Sequence, residues 1–116
     1  MCVPELWPKE ELIEGNRWRL VSKLGKRPVL RTRGVELAVF TQLAGQDRHY
    51  HRAAVEVYTC LRGEMSVYVA GQIYPLVQGD TIIVNPWAVH EVLQRGEFLA
   101  QVLTVKCGGV QDKFFV

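Results

Sequence analysis

His49, His51, Glu56 and His90 are the residues of this chain whose types and spacing could do chemistry. His49-Tyr50-His51 puts two imidazoles at i and i+2. Alternate side chains of an extended strand share a face, so both rings point the same way. Glu56 follows after four intervening residues, and His90 arrives on a later segment. Three imidazoles and one carboxylate are a ligand set for one divalent transition metal, and this set takes in all three histidines of the chain. Neutral imidazole suits Fe, Mn, Ni, Co, Cu or Zn, while the carboxylate offsets one of the two metal charges. No cysteine belongs to the pattern, which argues against a closed structural zinc site. Four protein ligands on an octahedron leave two positions, for a chelating substrate or for one substrate atom and dioxygen. A metal so held can act as a Lewis acid, activate water or bind O2.

The elements that must position these groups read as strands. Residues 35–43 are β-branched and aromatic, ending at Ala44-Gly45. Residues 54–60 form a second run, closed by Leu61-Arg62-Gly63-Glu64. Residues 65–69 and 72–77 flank a turn at Ala70-Gly71. Residues 80–84, 90–93 and 98–106 complete the set. Short strands with turn signals at this spacing argue for an all-β sandwich or barrel. Residues 4–15 read as irregular, with at most a helical turn at 9–13.

Parity then says what else faces the centre. Glu56, Tyr58 and Cys60 share a face if residues 54–60 are a regular strand. That sets Tyr58 beside the metal layer as the catalytic candidate, a hydrogen-bond donor or an acid/base group, against the plainer role of an interior tyrosine. Tyr50 points the other way. Gln94 shares parity with His90, Phe40 shares it with Gln42, and Leu103 and Val105 are barrel lining if their face is inward. Trp87 stands in the loop before His90, as a pocket cap or a surface contact. Arg48 and Arg52 flank the His-x-His triplet, to grip an anion or simply to face solvent.

Bulk properties bound the rest. At 116 residues, with 48% hydrophobic and 22% charged residues, the chain is expected to be one domain with a full core. A net charge of +2 is too small to imply nucleic acid. No apolar run is long enough to span a bilayer as a helix. Cys2, Cys60 and Cys107 are an odd number without paired spacing, and no secretory signal is evident, so reduced thiols in a cytoplasmic setting are expected. The five basic residues between Lys23 and Arg33 read as a solvated loop or edge strand, or as a rim that steers an anionic substrate.

Taken together, Gly45-(x3)-His49-x-His51-(x4)-Glu56-(x6)-Gly63 and Gly79-(x6)-Pro86-x-Ala88-x-His90-(x3)-Gln94 resemble the two motifs of the cupins. The resemblance covers residues 35–106 and implies a double-stranded β-helix, or jelly roll, as a single domain. Residues 1–34 would be an amino-terminal arm and first strands, and 35–116 the barrel. It implies that His49, His51, Glu56 and His90 are the metal ligands. Three departures accompany it. The gap between Gly45 and His49 is two residues short, the proline falls one residue late with Ala88 in place of a glycine, and Gln94 replaces an asparagine. The alanine implies that the turn delivering His90 avoids positive φ at position 88.

The expected function is a small mononuclear metalloenzyme of dioxygenase type acting on a small oxygenated molecule. The alternatives are a small-molecule or sugar sensor without turnover, and a cupin lyase or isomerase. A storage role would leave a complete ligand set idle. The resemblance also implies a homodimer, to which the apolar residues Val3, Leu6 and Trp7 could contribute.

Overall fold

The computed structural model describes residues 27–32 (as backbone), 34–44, 47–106 and 112–116. The arm residues Val3, Leu6 and Trp7, the turn at 9–13, Gly45, Cys2, Cys107 and most of the basic run at 23–33 lie outside them.

Among the described residues, nine strands follow in chain order: β1 (Arg27–Thr32), β2 (Val35–Thr41), β3 (His49–Tyr50), β4 (Val55–Val69), β5 (Gln72–Val77), β6 (Thr81–Val84), β7 (His90–Val92), β8 (Phe98–Val105) and β9 (Phe114–Phe115). All pairings among them are antiparallel. The path β1-β2-β8-β4-β7-β3-β9 curls into the jelly roll, with β5 and β6 also paired to β4. β1 lies at one end of that path, and Pro28, which lacks an N–H, sits at its register shift, where an edge strand tolerates proline.

β4 is the element that makes a barrel of two sheets. Its first half pairs with β8 and β6, its second with β5 and β7. The sequence reads two strands here with Gly63 in a turn between them; the chain instead runs straight through. The register against β8 slips between Cys60 and Arg62, leaving Leu61 without a partner, and Gly63 adopts φ +82°. One extra residue flips the faces. Before the bulge Glu56, Tyr58 and Cys60 are buried; after it Met65 and Val67 are. A regular strand of fifteen residues would have turned one of these sets to solvent.

The core is apolar, from Ala38 and Phe40 on β2 through Val84 to Phe98, Ala100 and Val102 on β8. Phe40 meets Tyr58 and Phe98 edge-on, with centroids 6.1 and 6.0 Å away. Such contacts are worth about 0.5–1.5 kcal/mol beyond the area they bury. On β8 the inward side chains are Phe98, Ala100, Val102 and Thr104, so Leu103 and Val105 occupy the opposite face rather than lining the barrel.

Candidate metal centre

Among the described residues the buried polar side chains are His49, His51, Glu56, His90 and Thr104. All five meet in one place. His49 lies on β3 directly opposite His90, the first residue of β7. His51 follows β3 by one residue, and Glu56 comes from β4, where it is the register partner of Thr104 on β8. One ligand atom from each histidine and from Glu56 lies within 4.8 Å of every other, so the group could hold a metal ion.

The outer nitrogen of each ring is already engaged. His49 Nδ1 lies 2.7 Å from the carbonyl oxygen of Asp47, His51 Nδ1 2.7 Å from that of Asp112, and His90 Nδ1 2.9 Å from that of Ala88. A carbonyl can only accept, so each Nδ1 carries a proton, and in the neutral ring it is Nε2 that has a lone pair to offer. His51 Nε2 is buried with no hydrogen-bond partner; it lies 3.3 Å from Glu56 Oε1, short of a hydrogen bond. An unpaired buried nitrogen costs about 1–3 kcal/mol, a cost that a cation among these atoms removes. His90 Nε2 lies 2.8 Å from Glu56 Oε1, so both its nitrogens face acceptors. A proton on Nε2 satisfies that arrangement, and so does a cation between ring and carboxylate. The donor set therefore fits a divalent transition metal.

Glu56 is the hub. Its Oε1 also accepts the Tyr58 hydroxyl at 2.9 Å, and its Oε2 accepts the Thr104 hydroxyl at 3.0 Å. Burial alone would raise its pKa, but His51 and His90 outweigh that and hold the carboxyl well below its usual range. Burial takes His49 down to about 4. Burial lowers His51 too, yet the Glu56 carboxylate beside it wins and the net direction is upward. Burial and the negative Glu56 push the Tyr58 phenol well above 10. Tyr58 thus holds its proton and donates it to Glu56.

The remaining sequence candidates are distributed differently. Gln94 is exposed beyond the end of β7 and does not reach the centre. Arg48 pairs with Glu91 at 3.2 Å and lies 3.5 Å over the Tyr68 ring. Arg52 lies over Phe114 at 4.2 Å and Trp87 at 5.4 Å. Trp87 is 62% exposed and stacks on Tyr50, with centroids 5.7 Å apart. Ala88 avoids positive φ as expected, but the left-handed residue has moved one place earlier, to Trp87 at φ +72°. Its N–H, donated to the His51 carbonyl at 2.6 Å, ties the turn that delivers His90 to the strand that delivers His51.

Two residues at the centre were not singled out from the sequence. Thr104 is a hydroxyl in the otherwise apolar run Val102-Leu103-Thr104-Val105, and that polarity was the available signal for its facing the ligands. Asp112 stands 61 residues from the histidine it contacts, and nothing local marks it.

Residues 39–106 match the family model for the cupin domain. Among solved structures, a protein of Thermus thermophilus is 25% identical with a TM-score of 0.67, over 88% of this chain and 97% of that one. A cupin superfamily protein of Desulfitobacterium hafniense is 19% identical with a TM-score of 0.59, over 71% and 76%. A Streptomyces nucleoside dehydratase, solved with uridine, is 15% identical with a TM-score of 0.59, over 81% and 83%. Among curated proteins, none matches the chain.

Proposed function

The chain belongs to the cupin family, and from that premise we propose that His49, His51, Glu56 and His90 hold one divalent transition metal in a small mononuclear metalloenzyme of dioxygenase type. The substrate class is a small oxygenated molecule able to chelate the metal. The observation that carries this reading is the fixing of all three Nδ1 atoms by backbone carbonyls, which turns three Nε2 atoms toward one carboxylate. When bound, the metal would supply Lewis acidity and a place for a chelating substrate or dioxygen to bind. The chain's own part is to bind and orient. Thr104 and Tyr58 hold the two oxygens of Glu56, and Tyr58 keeps a proton at its hydroxyl, next to the reacting volume.

Metal analysis of protein purified without added metal is expected to show a transition metal near one per chain. Oxygen uptake is then expected with one of a panel of catechols, β-diketones, thiols and α-hydroxy acids. No metal as purified and none on reconstitution would overturn the reading. Because one structural neighbour is a nucleoside dehydratase, nucleosides belong in the panel. Dehydration without oxygen uptake would replace the oxygenase with a lyase, and binding without turnover would replace it with a sensor.

The same reading includes one domain, with residues 1–34 as arm and first strands, and a cytoplasmic homodimer. Cys60, a free thiol, suits a reducing compartment. No helix among the described residues is long and apolar enough to cross a membrane. An apolar ladder supports the dimer: Leu37, Leu103, Val57 and Ile83 are register partners across β2, β8, β4 and β6, on the face opposite the centre. Ile83 is 58% exposed, and the other three are half-buried. Leu103→Asp, which sets a charge in the middle of that ladder, is expected to convert a dimer to monomer in sedimentation equilibrium. A wild-type monomer would refute the pairing.

A further inference from the structure

We propose that the carboxy-terminal segment from Asp112 to Val116 is a latch on the metal centre, with Asp112 as the positioning residue that holds His51 as an Nε2 ligand. The inference rests on the metal reading above. The loop at 52–54 joins two ligand-bearing strands and, among the described residues, has no strand partner of its own. Three consecutive amides of that loop point at one carboxylate. Arg52 N and Ala53 N donate to Asp112 at 2.9 and 3.2 Å, and Ala54 N donates at 3.1 Å. Successive N–H groups make an anion-binding concavity, and here the anion is supplied from 58–60 residues along the same chain. The carbonyl of that same residue accepts the His51 Nδ1 proton at 2.7 Å. One residue therefore sets both the path of the loop and the tautomer of the ring.

The rest of the segment fastens this contact. β9 pairs with β3 through His49↔Phe115 and Tyr50↔Phe114, and Val116 N donates to the Arg48 carbonyl at 3.2 Å. Phe114 stacks on Tyr50 with centroids 5.3 Å apart, and Tyr50 stacks in turn on Trp87. Phe115 lies 5.9 Å from the His49 ring. The segment thus touches the strand that carries His49 and His51, and through Tyr50 the turn that delivers His90. His49 and His90 take their Nδ1 partners from two residues away in the chain, whereas His51 takes its partner from across the fold. His51 is accordingly the ligand whose orientation depends on a distant segment.

The test compares the full chain with Asp112→Ala and Asp112→Asn. Asn keeps an acceptor for the loop amides; Ala keeps none. Two readouts apply: Co(II) affinity by chelator competition, and the ring nitrogen resonances of the three histidines in metal-free protein, recorded over a pH series and compared where they no longer move with rising pH. Asp112→Ala keeps the main-chain carbonyl behind His51 but frees it from the loop amides that fix its position, so affinity is expected to fall up to about 10-fold, the lower end of the range for losing the partner behind a metal-bound histidine outright. The His51 resonances should leave the Nδ1-protonated pattern while those of His49 and His90 keep it. Asp112→Asn, which keeps one of the two acceptor oxygens, should recover part of both. Unchanged affinity with an unchanged His51 pattern would overturn the latch, as would equal changes at all three histidines. A wild-type chain that binds no Co(II) would refute the centre, and the His51 resonances of the metal-free variants would then decide the latch by themselves.

Discussion

Glu56→Gln is expected to lower metal affinity by at least about 100-fold while leaving the chain folded. The change exceeds what losing a partner behind a ligand costs, because the ligand charge itself is removed. Gln keeps the volume of Glu and an oxygen for Tyr58 or Thr104, so the buried network stays occupied. What goes is the negative charge that faces His51 and His90. A proton count should change with it. A metal needs neutral imidazoles. His49, at about 4, is already neutral in mildly acidic solution. His51 is raised by Glu56, so it holds its proton to higher pH than a free imidazole. Wild-type affinity should therefore fall as pH drops through the raised His51 value, and in that range metal binding should release the His51 proton. In Glu56→Gln the cause of the rise is gone, so the release should shrink. Titration calorimetry in buffers of differing ionisation enthalpy reads both effects. A variant with wild-type affinity would remove Glu56 from the proposed ligand set.

Gly63→Ala is expected to destabilise the fold by about 2–5 kcal/mol. A Cβ at position 63 would collide with the carbonyl oxygen of Glu97, and it would also press on the Phe98 Cα at 3.1 Å. These atoms are backbone, so neither can swing away. Overpacking of this sort costs about 1–3 kcal/mol, and left-handed φ costs a non-glycine residue about 1–2 kcal/mol more. Gly71→Ala separates the two terms, since Gly71 has φ +93° with nothing within 4 Å of its added Cβ. It should lose only the conformational part. Urea denaturation of both variants tests the difference, and equal losses would show that the close approach at Gly63 is unimportant. The site should suffer along with the fold, because the bulge at 61–63 lets the half of β4 carrying Glu56 and the half carrying Met65 both face the interior.

Much of the centre was legible in the sequence because its rules are local. The i, i+2 spacing of His49 and His51 and the shared face of Glu56 and Tyr58 are properties of an extended backbone, whatever it pairs with. The Gly, His, Glu and Pro spacings carried the cupin resemblance, and the family match over residues 39–106 agrees with it. Ala88 could be read as unsuited to positive φ from its side chain alone. Local reasoning failed wherever two distant segments had to agree. The bulge at Leu61 depends on register against β8, and a turn and a bulge both call for glycine. The parity of β8 was ambiguous in an apolar strand until its partners were known. Trp87 accepts left-handed φ, against its own preference, while Tyr50 stacks on its ring and the His51 carbonyl takes its N–H.

The sequence by itself determined the inventory of the centre and its family: which four side chains could bind a metal, and on what kind of fold. Tertiary structure decided how those side chains are held. It sets which ring nitrogen of each histidine faces inward, which oxygen of Glu56 meets which partner, and that Asp112 closes the loop beside His51. The physical reason is directional. Ligand identity is a property of a residue, whereas a tautomer or a carboxylate's orientation is set by hydrogen bonds, and their partners here come as often from across the fold as from the neighbouring residues.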